Sequence, residues 1–317
     1  MPHRIIVDTD IGTDVDDALA LAFAVRHPEI DLAAVTTVSG DTGLRGQIAA
    51  RLLALAGRSD IEVAAGVREP LLRRGRMLWA GHEGQGLLEE GEDLPLSPRH
   101  GVDLIVESLR AEETEVVTVG PQSNLAAALI KEPDTAGRIS HLTVMGGFFH
   151  ACELEGRAIP PTVDYNLNAD PEAAVKSLSV PIATTFVPGD VTMRAWLLEK
   201  DLRRLEEAKD PLCQALALLV RIWTPVQRRL LEAMGVPLPP DVVAILHDPL
   251  AVATLVDRRF VKTERLKMTV AIVDGYARTF IDPAAGREVE VVTDVDARAF
   301  AEFWLETVLV EADPRRA

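Results

Sequence analysis

Residues Ile5 to Leu21 read IIVDTDIGTDVDDALAL, and this stretch decides how the rest of the chain is read. The apolar run Ile5-Ile6-Val7 has the composition of a buried strand, and Ala18-Leu19-Ala20-Leu21 begins a helical pattern. Between them Asp8, Asp10, Asp14, Asp16 and Asp17 place five carboxylates within ten residues. Two unit charges about 4 Å apart repel by about 1 kcal/mol in water, and by about 4 kcal/mol at an effective dielectric of about 20. A helix N-terminus returns only about 0.3–1 kcal/mol per nearby anion. The dipole alone does not hold five carboxylates together, so a hard divalent cation bound through oxygen is the simplest partner. Single members have ordinary alternatives: Asp14 is placed to cap the helix, and others to face solvent. A phosphate loop is a poor reading, because Gly12 stands alone, no Lys-Ser or Lys-Thr follows, and the acids would repel a phosphate.

Working outward, strands alternate with helices. A second strand over 31–38 stops at Gly40-Asp41, a helix covers about 43–57, and a short strand spans 61–65. Residues 66–98 read as a long irregular loop. A helix near 99–111 precedes a strand at 115–119, a helix to about residue 130, and a strand at 141–145 ending in Gly146-Gly147. A second irregular stretch, 148–168, leads to a helix opened by Asp170-Pro171 and a strand at 182–186. Helices are then expected over about 193–208 and 210–232, a proline-rich break at 236–240, and a helix from Asp248-Pro249. Strands near 266–273, 277–281 and 287–293 and a helix over about 296–312 complete the chain.

This alternation predicts one α/β domain over residues 1–317: an open, mainly parallel, Rossmann-like sheet with helices on both faces, plus extra helices and a few C-terminal strands. Sites in such sheets lie outside the carboxyl ends of the strands. Polar residues do follow the strands directly: Asp41 after the second, Gly120-Pro-Gln-Ser-Asn124 after 115–119, and Asp164, Asn166 and Asn168 after 141–145.

Composition narrows the partners. With 33 basic and 49 acidic residues the net charge is −16, which argues against nucleic acid or an anionic membrane and suits a neutral or cationic small molecule. No apolar run is long enough for a membrane span, and the first strand begins too early for a signal peptide. Cys152 and Cys213 give neither a disulfide framework nor a zinc pair, so a cytoplasmic location is expected.

Four further residues have chemical potential. His247-Asp248 sits between apolar runs. Asp248 before Pro249 reads equally as a helix N-cap, whereas His247 has the titration range of a proton donor to a leaving group. His82 lies among glycines in the first long loop, where it is either a solvated loop residue or a site residue. Trp223 is a packing residue or a surface for a base to stack on.

Together, DTDIGTDVDDALAL, VGPQSNLAAAL, VMGG, VDYNLNADPEAA and LHDPLAVA resemble the nucleoside hydrolases of the inosine-uridine preferring type, in family order from residue 5 to about 253. The resemblance implies hydrolysis of the N-glycosidic bond of ribonucleosides to ribose and free base, in purine or pyrimidine salvage. It implies one Ca²⁺ per subunit, bound by Asp10, Asp17 and Asp248 through carboxylates and by Ser123 through its carbonyl. Asp10 would be the general base and His247 would assist the leaving base. Asp16, Asp41, His82, Met145, Asp164 and Asn166 would contact the nucleoside, and Asp8 would support the site. The family also suggests a homodimer or homotetramer. The opening here is two residues longer than is usual; aligning the terminal Asp16-Asp17 pair keeps Val15 out of a ligand position and leaves Asp14 without a family role. Asp41 replaces the usual Asn, Asp164 the usual Glu, and no Asn precedes Asp164 in Gly156-Arg-Ala-Ile-Pro-Pro161. All three changes concern the sugar rather than the ion. Base contacts are expected from the two long loops and the helices after residue 193.

Two other readings compete. A haloacid-dehalogenase-type phosphohydrolase would use Asp8-Thr-Asp10, but it wants Mg²⁺ and a lysine, and no lysine lies in these motifs. A non-catalytic Ca²⁺-dependent nucleoside or sugar binder would keep the ion and lose turnover.

Overall fold

The computed structural model describes residues 2–72, 77–89, 91–154 and 156–310. The opening apolar run forms β1 (His3–Thr9), and the chain turns through the aspartates into α1 (Asp16–Arg26). There follow β2 (Ile30–Thr37), α2 (Thr42–Leu55), β3 (Glu62–Ala65), α3 (Gly101–Ala111), β4 (Thr114–Thr118), α4 (Ser123–Lys131) and β5 (Ile139–Met145). Next come β6 (Cys152–Leu154), β7 (Arg157–Ile159), α5 (Tyr165–Ala169), α6 (Pro171–Leu178), β8 (Thr184–Val187) and α7 (Gly189–Thr192). The remainder is β9 (Trp196–Leu198), α8 (Glu199–Glu207), α9 (Pro211–Ala233), β10 (Val242–Ile245), α10 (His247–Ala253), β11 (Val261–Val273), β12 (Tyr276–Ile281), β13 (Arg287–Val295) and α11 (Ala297–Leu309).

Nine strands form one sheet in the order β12-β11-β13-β8-β5-β4-β1-β2-β3. Neighbours from β3 across to β13 are parallel, and β11 and β12 add an antiparallel edge. Parallel strands need cover on both faces. Leu19, Phe23, Leu250 and Trp304 belong to one apolar cluster, and Ile105, Leu125, Leu129 and Leu178 to another. Helix α1 is buried from Asp16 to Ala24, as a helix apolar on all sides must be. The chain runs from β1 outward through β2 and β3, then crosses back to β4 on the other side of β1. That reversal opens a crevice at the carboxyl ends of β1 and β4, the place where such sheets bind ligands. Asp8 to Asp10 and Val119 to Asn124 border it, joined by the Val119 amide donating to the Asp8 carbonyl at 2.9 Å.

Some elements differ from expectation. The helix expected over 193–208 begins only at Glu199, because Trp196–Leu198 pairs antiparallel with Val242–Ile245. The irregular stretch 148–168 contains the β6–β7 hairpin. Strands of three or four residues carry no period to read, so only their distant partners define them. Asp248 is not an N-cap: α10 starts at His247, after Leu246, and Asp248 lies inside its first turn. Val15, without a side-chain cap bond, occupies the N-cap of α1. Asp14, one residue earlier, accepts instead from the Val15 and Asp16 amides at 2.6 and 3.3 Å. The last helix ends at Leu309, and residues 311–312 of the expected span lie outside the described residues.

Candidate active site

Asp16, Asp17 and Asp248, all buried, place one carboxylate oxygen each within 4.8 Å of one another. The first two come from the start of α1 and the third from the start of α10, which packs against α1. Each carboxyl is pushed well above its ordinary range, first by burial and then by the neighbouring acids; Asp10 is among those acids for all three. Asp10 thus lies outside the triple yet within its field, and it is itself 8% exposed and shifted upward by burial. At Gly120, a Cβ would stand 2.8 Å from both the Asp10 amide nitrogen and its Oδ1, so only glycine lets the β4 loop approach this closely.

The donor set fits a hard divalent cation. It consists of carboxylate oxygens, and among the described residues no arginine or lysine hydrogen-bonds to any of the three. The Thr9 hydroxyl donates to Asp17 Oδ1, and the Asp17 amide donates to Asp16 Oδ1 at 3.1 Å. Those bonds leave most of the negative charge uncompensated. Ser123, buried at the start of α4, donates its hydroxyl to Asp170 Oδ2 at 2.6 Å, so its side chain is already engaged. Asp8 is fully buried behind the crevice; its Oδ1 accepts from Thr36 Oγ1 and Asn124 Nδ2, each at 2.7 Å, and burial pushes it up to about 7.

On the β5 side, Asn166 donates both N–H groups to backbone, to the Val119 carbonyl at 2.9 Å and the Met145 carbonyl at 3.2 Å. Its remaining function is to accept. Met145 is buried, with its sulfur 3.3 Å from the same nitrogen. Asp164 caps α5: Oδ1 accepts from the Leu167 amide at 3.0 Å and Oδ2 from the Gly147 amide at 2.6 Å. Burial nevertheless pushes it up to about 6. Asp41 is exposed and caps α2, accepting from the Leu44 amide at 3.2 Å.

His247 Nδ1 lies 2.7 Å from Thr192 Oγ1, and burial lowers its pKa to about 4. His82 Nε2 is 2.9 Å from the Thr13 carbonyl and its ring 5.8 Å from that of Trp223. These two rings share a cavity with Ile11, Asp14, Ile48 and Leu219. The loop carrying His82 is fastened to the opening turn by Thr13 Oγ1, which donates to Glu83 at 2.9 Å, and to α5 by the Leu78 amide, which donates to Tyr165 Oη at 2.7 Å. The sequence reading passed over Tyr165 and Arg45. An arginine in the first turn of α2, where the helix dipole opposes a cation, was the available signal for the second.

Fold and site together describe an α/β protein with a carboxylate pocket at the switch point of its sheet. A family model described as inosine-uridine preferring nucleoside hydrolase matches residues 5–302. An inosine-uridine preferring nucleoside hydrolase of Leishmania major is 31% identical over 281 residues, covering 86% of this chain and 84% of that protein. A pyrimidine-specific ribonucleoside hydrolase of Photobacterium profundum is 33% identical over 267 residues, 81% of each chain. The solved structure of a plant nucleoside hydrolase superposes with a TM-score of 0.83 at 25% identity, covering 98% of this chain and 100% of that one. The chain belongs to the inosine-uridine preferring nucleoside hydrolases, enzymes that hydrolyse the N-glycosidic bond of ribonucleosides. That membership leaves the phosphohydrolase and binding-only readings without support. No helix of the described residues is long and apolar enough to cross a membrane.

Proposed function

We propose that ribonucleoside hydrolysis in this chain uses Asp10 as general base in a pocket built to hold one Ca²⁺. The observation that carries the reading is the convergence of Asp16 and Asp17 with the distant Asp248 beside Asp10. Asp10, Asp17 and Asp248, with the Ser123 carbonyl, would hold the ion. When bound, it neutralises the clustered carboxylates and lowers the pKa of a neighbouring water. Asp10 takes the proton of the attacking water. As the base departs, positive charge develops on the ribose ring, an oxocarbenium-like situation familiar from glycoside hydrolysis. The acidic pocket stabilises that charge where it develops.

Asp16 and Asn166 accept hydrogen bonds from the ribose hydroxyls, Asn166 through its Oδ1 because its two N–H groups are already engaged. Asp164 already accepts two backbone amides, so it adds charge more than new contacts. Met145 presents the carbonyl that orients Asn166. Asp41, an exposed cap, and His82, turned onto the Thr13 carbonyl, reach the nucleoside after local rearrangement.

His247 is neutral near pH 7, so it acts as a hydrogen-bond donor to the departing base rather than as a preformed imidazolium. That role needs the Nε2–H tautomer, in which the Thr192 hydroxyl, 2.7 Å away, donates to Nδ1. His247→Gln is expected to lower kcat by about 100-fold with a small change in KM. An unchanged kcat on inosine and uridine would remove His247 from the reaction.

The ion is read as Ca²⁺, the location as cytoplasmic and the assembly as a homodimer or homotetramer on the family resemblance; metal analysis and sedimentation of the purified protein test the first and last. The reaction itself is tested by quantifying free base and reducing sugar from a panel of ribonucleosides, where equal amounts of the two are expected.

A further inference from the structure

Arg45 has no solvent exposure, although it stands in the first turn of a helix whose dipole opposes it. Its guanidinium gathers three carbonyls from two strand ends. Nε donates to Ser39 at 2.7 Å, after β2, while Nη1 donates to Ile11 at 2.8 Å and to Asp10, after β1. Ser39 sits at φ +69°, a left-handed conformation that a non-glycine residue keeps only when its surroundings hold it. The Trp79 ring covers the guanidinium, 5.2 Å from Cζ to the ring centroid. Nη2 is buried without a partner among the described residues.

A buried cation with one unmatched donor is a poor choice for stability alone. Its surroundings give it another use. Its charge acts on the Asp10 and Asp17 carboxyls and on the Tyr165 phenol, opposing in each the upward push of burial. An arginine suits the place because its planar fork reaches several carbonyls at once, which an ammonium does not.

We propose that Arg45 is a positioning residue for the hydrolysis: it ties the backbone of Asp10 and Ile11 to the end of β2 and supplies fixed positive charge beside the Asp10 carboxylate. This inference rests on the reading of Asp10 as base. The clamp also accounts for how the longer opening loop is held, since Ile11 lies inside it.

Arg45→Met, Arg45→Lys and Asp10→Asn are compared with the unaltered protein for kcat and KM on inosine and uridine, with near-UV circular dichroism reporting the fold. A displaced base costs about 100-fold in rate, so Arg45→Met should lose about that factor in kcat while KM stays within about threefold. Arg45→Lys, keeping charge but not the fork, should recover about tenfold of the loss. A purely structural arginine would instead lower the folded fraction and leave kcat per folded molecule unchanged. The proposal is overturned if Arg45→Met keeps kcat within about threefold, if Lys does no better than Met, or if the loss lies in KM alone. Should Arg45→Met not fold, Arg45→Lys against the unaltered protein decides by the same split; should neither fold, Arg45 is structural and the proposal fails. An active Asp10→Asn would sink the base assignment, whereas an inactive Asp10→Asn beside a fully active Arg45→Met would sink only the role of Arg45.

Discussion

Asp10→Asn is expected to lower kcat by about 10³–10⁴-fold, the upper range for loss of a general base, while the fold remains intact. Asparagine keeps the shape that fits against Gly120 and the carbonyl that Arg45 holds, so the strand end stays where it is. What disappears is a basic oxygen and one negative charge among buried neighbours. Burial and mutual repulsion push Asp16, Asp17 and Asp248 upward, and Asp10 contributes to each, so removing it relieves the metal-free protein. Turnover and stability should therefore move in opposite directions. Steady-state kinetics beside thermal unfolding checks this; a kcat within about threefold of the unaltered protein would show that Asp10 is not the base.

The second large effect concerns the ion. Stripped of metal, the protein should lose stability as pH rises from about 4 to about 7. The carboxyls of Asp8 and Asp14 are pushed up to about 7 and that of Asp164 to about 6, with Asp10, Asp16, Asp17 and Asp248 also shifted upward. Unfolded carboxyls titrate near 4, so the folded state holds more protons across this window, and stability falls with rising pH. His247 works the other way: lowered to about 4, it contributes stability above its unfolded value that is lost as pH falls toward 4. It is one group against several.

Ca²⁺ at about 100 times its dissociation constant adds about 2.7 kcal/mol, or roughly 5 °C or more in Tm, and should flatten the fall near neutral pH. Surface pairs such as Lys262 with Asp294, whose carboxyl is held at about 2, are common to both forms. The difference between the stripped and loaded curves therefore isolates the pocket. Asp17→Ala or Asp248→Ala should abolish that difference and reduce kcat about 10³-fold or more. Equal Tm curves with and without Ca²⁺ would remove the ion from the account.

The parts of the site that were legible in sequence are those where local chemistry is extreme. Five aspartates after an apolar run called for a turn and a helix, and β1 and α1 follow that reading; the carboxylates that gather with Asp248 are those of Asp16 and Asp17. The alternation of elements gave the parallel sheet, and the polar residues after its strands marked the crevice. What was not legible depends on distant partners. β9 and β10 are strands only because they pair with each other. Asp248 looked equally like a cap, until the structure gave the start of α10 to His247. Asp164 looked free for a sugar, yet both its oxygens accept backbone amides. Arg45 went unread in the sequence, because only the fold turns it inward onto the Asp10 and Ile11 carbonyls.

The most direct test of the central claim follows ribose and base release from inosine and uridine by protein whose metal content is measured before chelation, after chelation and after Ca²⁺ is restored. Equimolar free base and ribose, lost on stripping and recovered with Ca²⁺, is the predicted result. Nucleosides left intact by the Ca²⁺-loaded protein, or cleavage at an undiminished rate once the metal is gone, would contradict it.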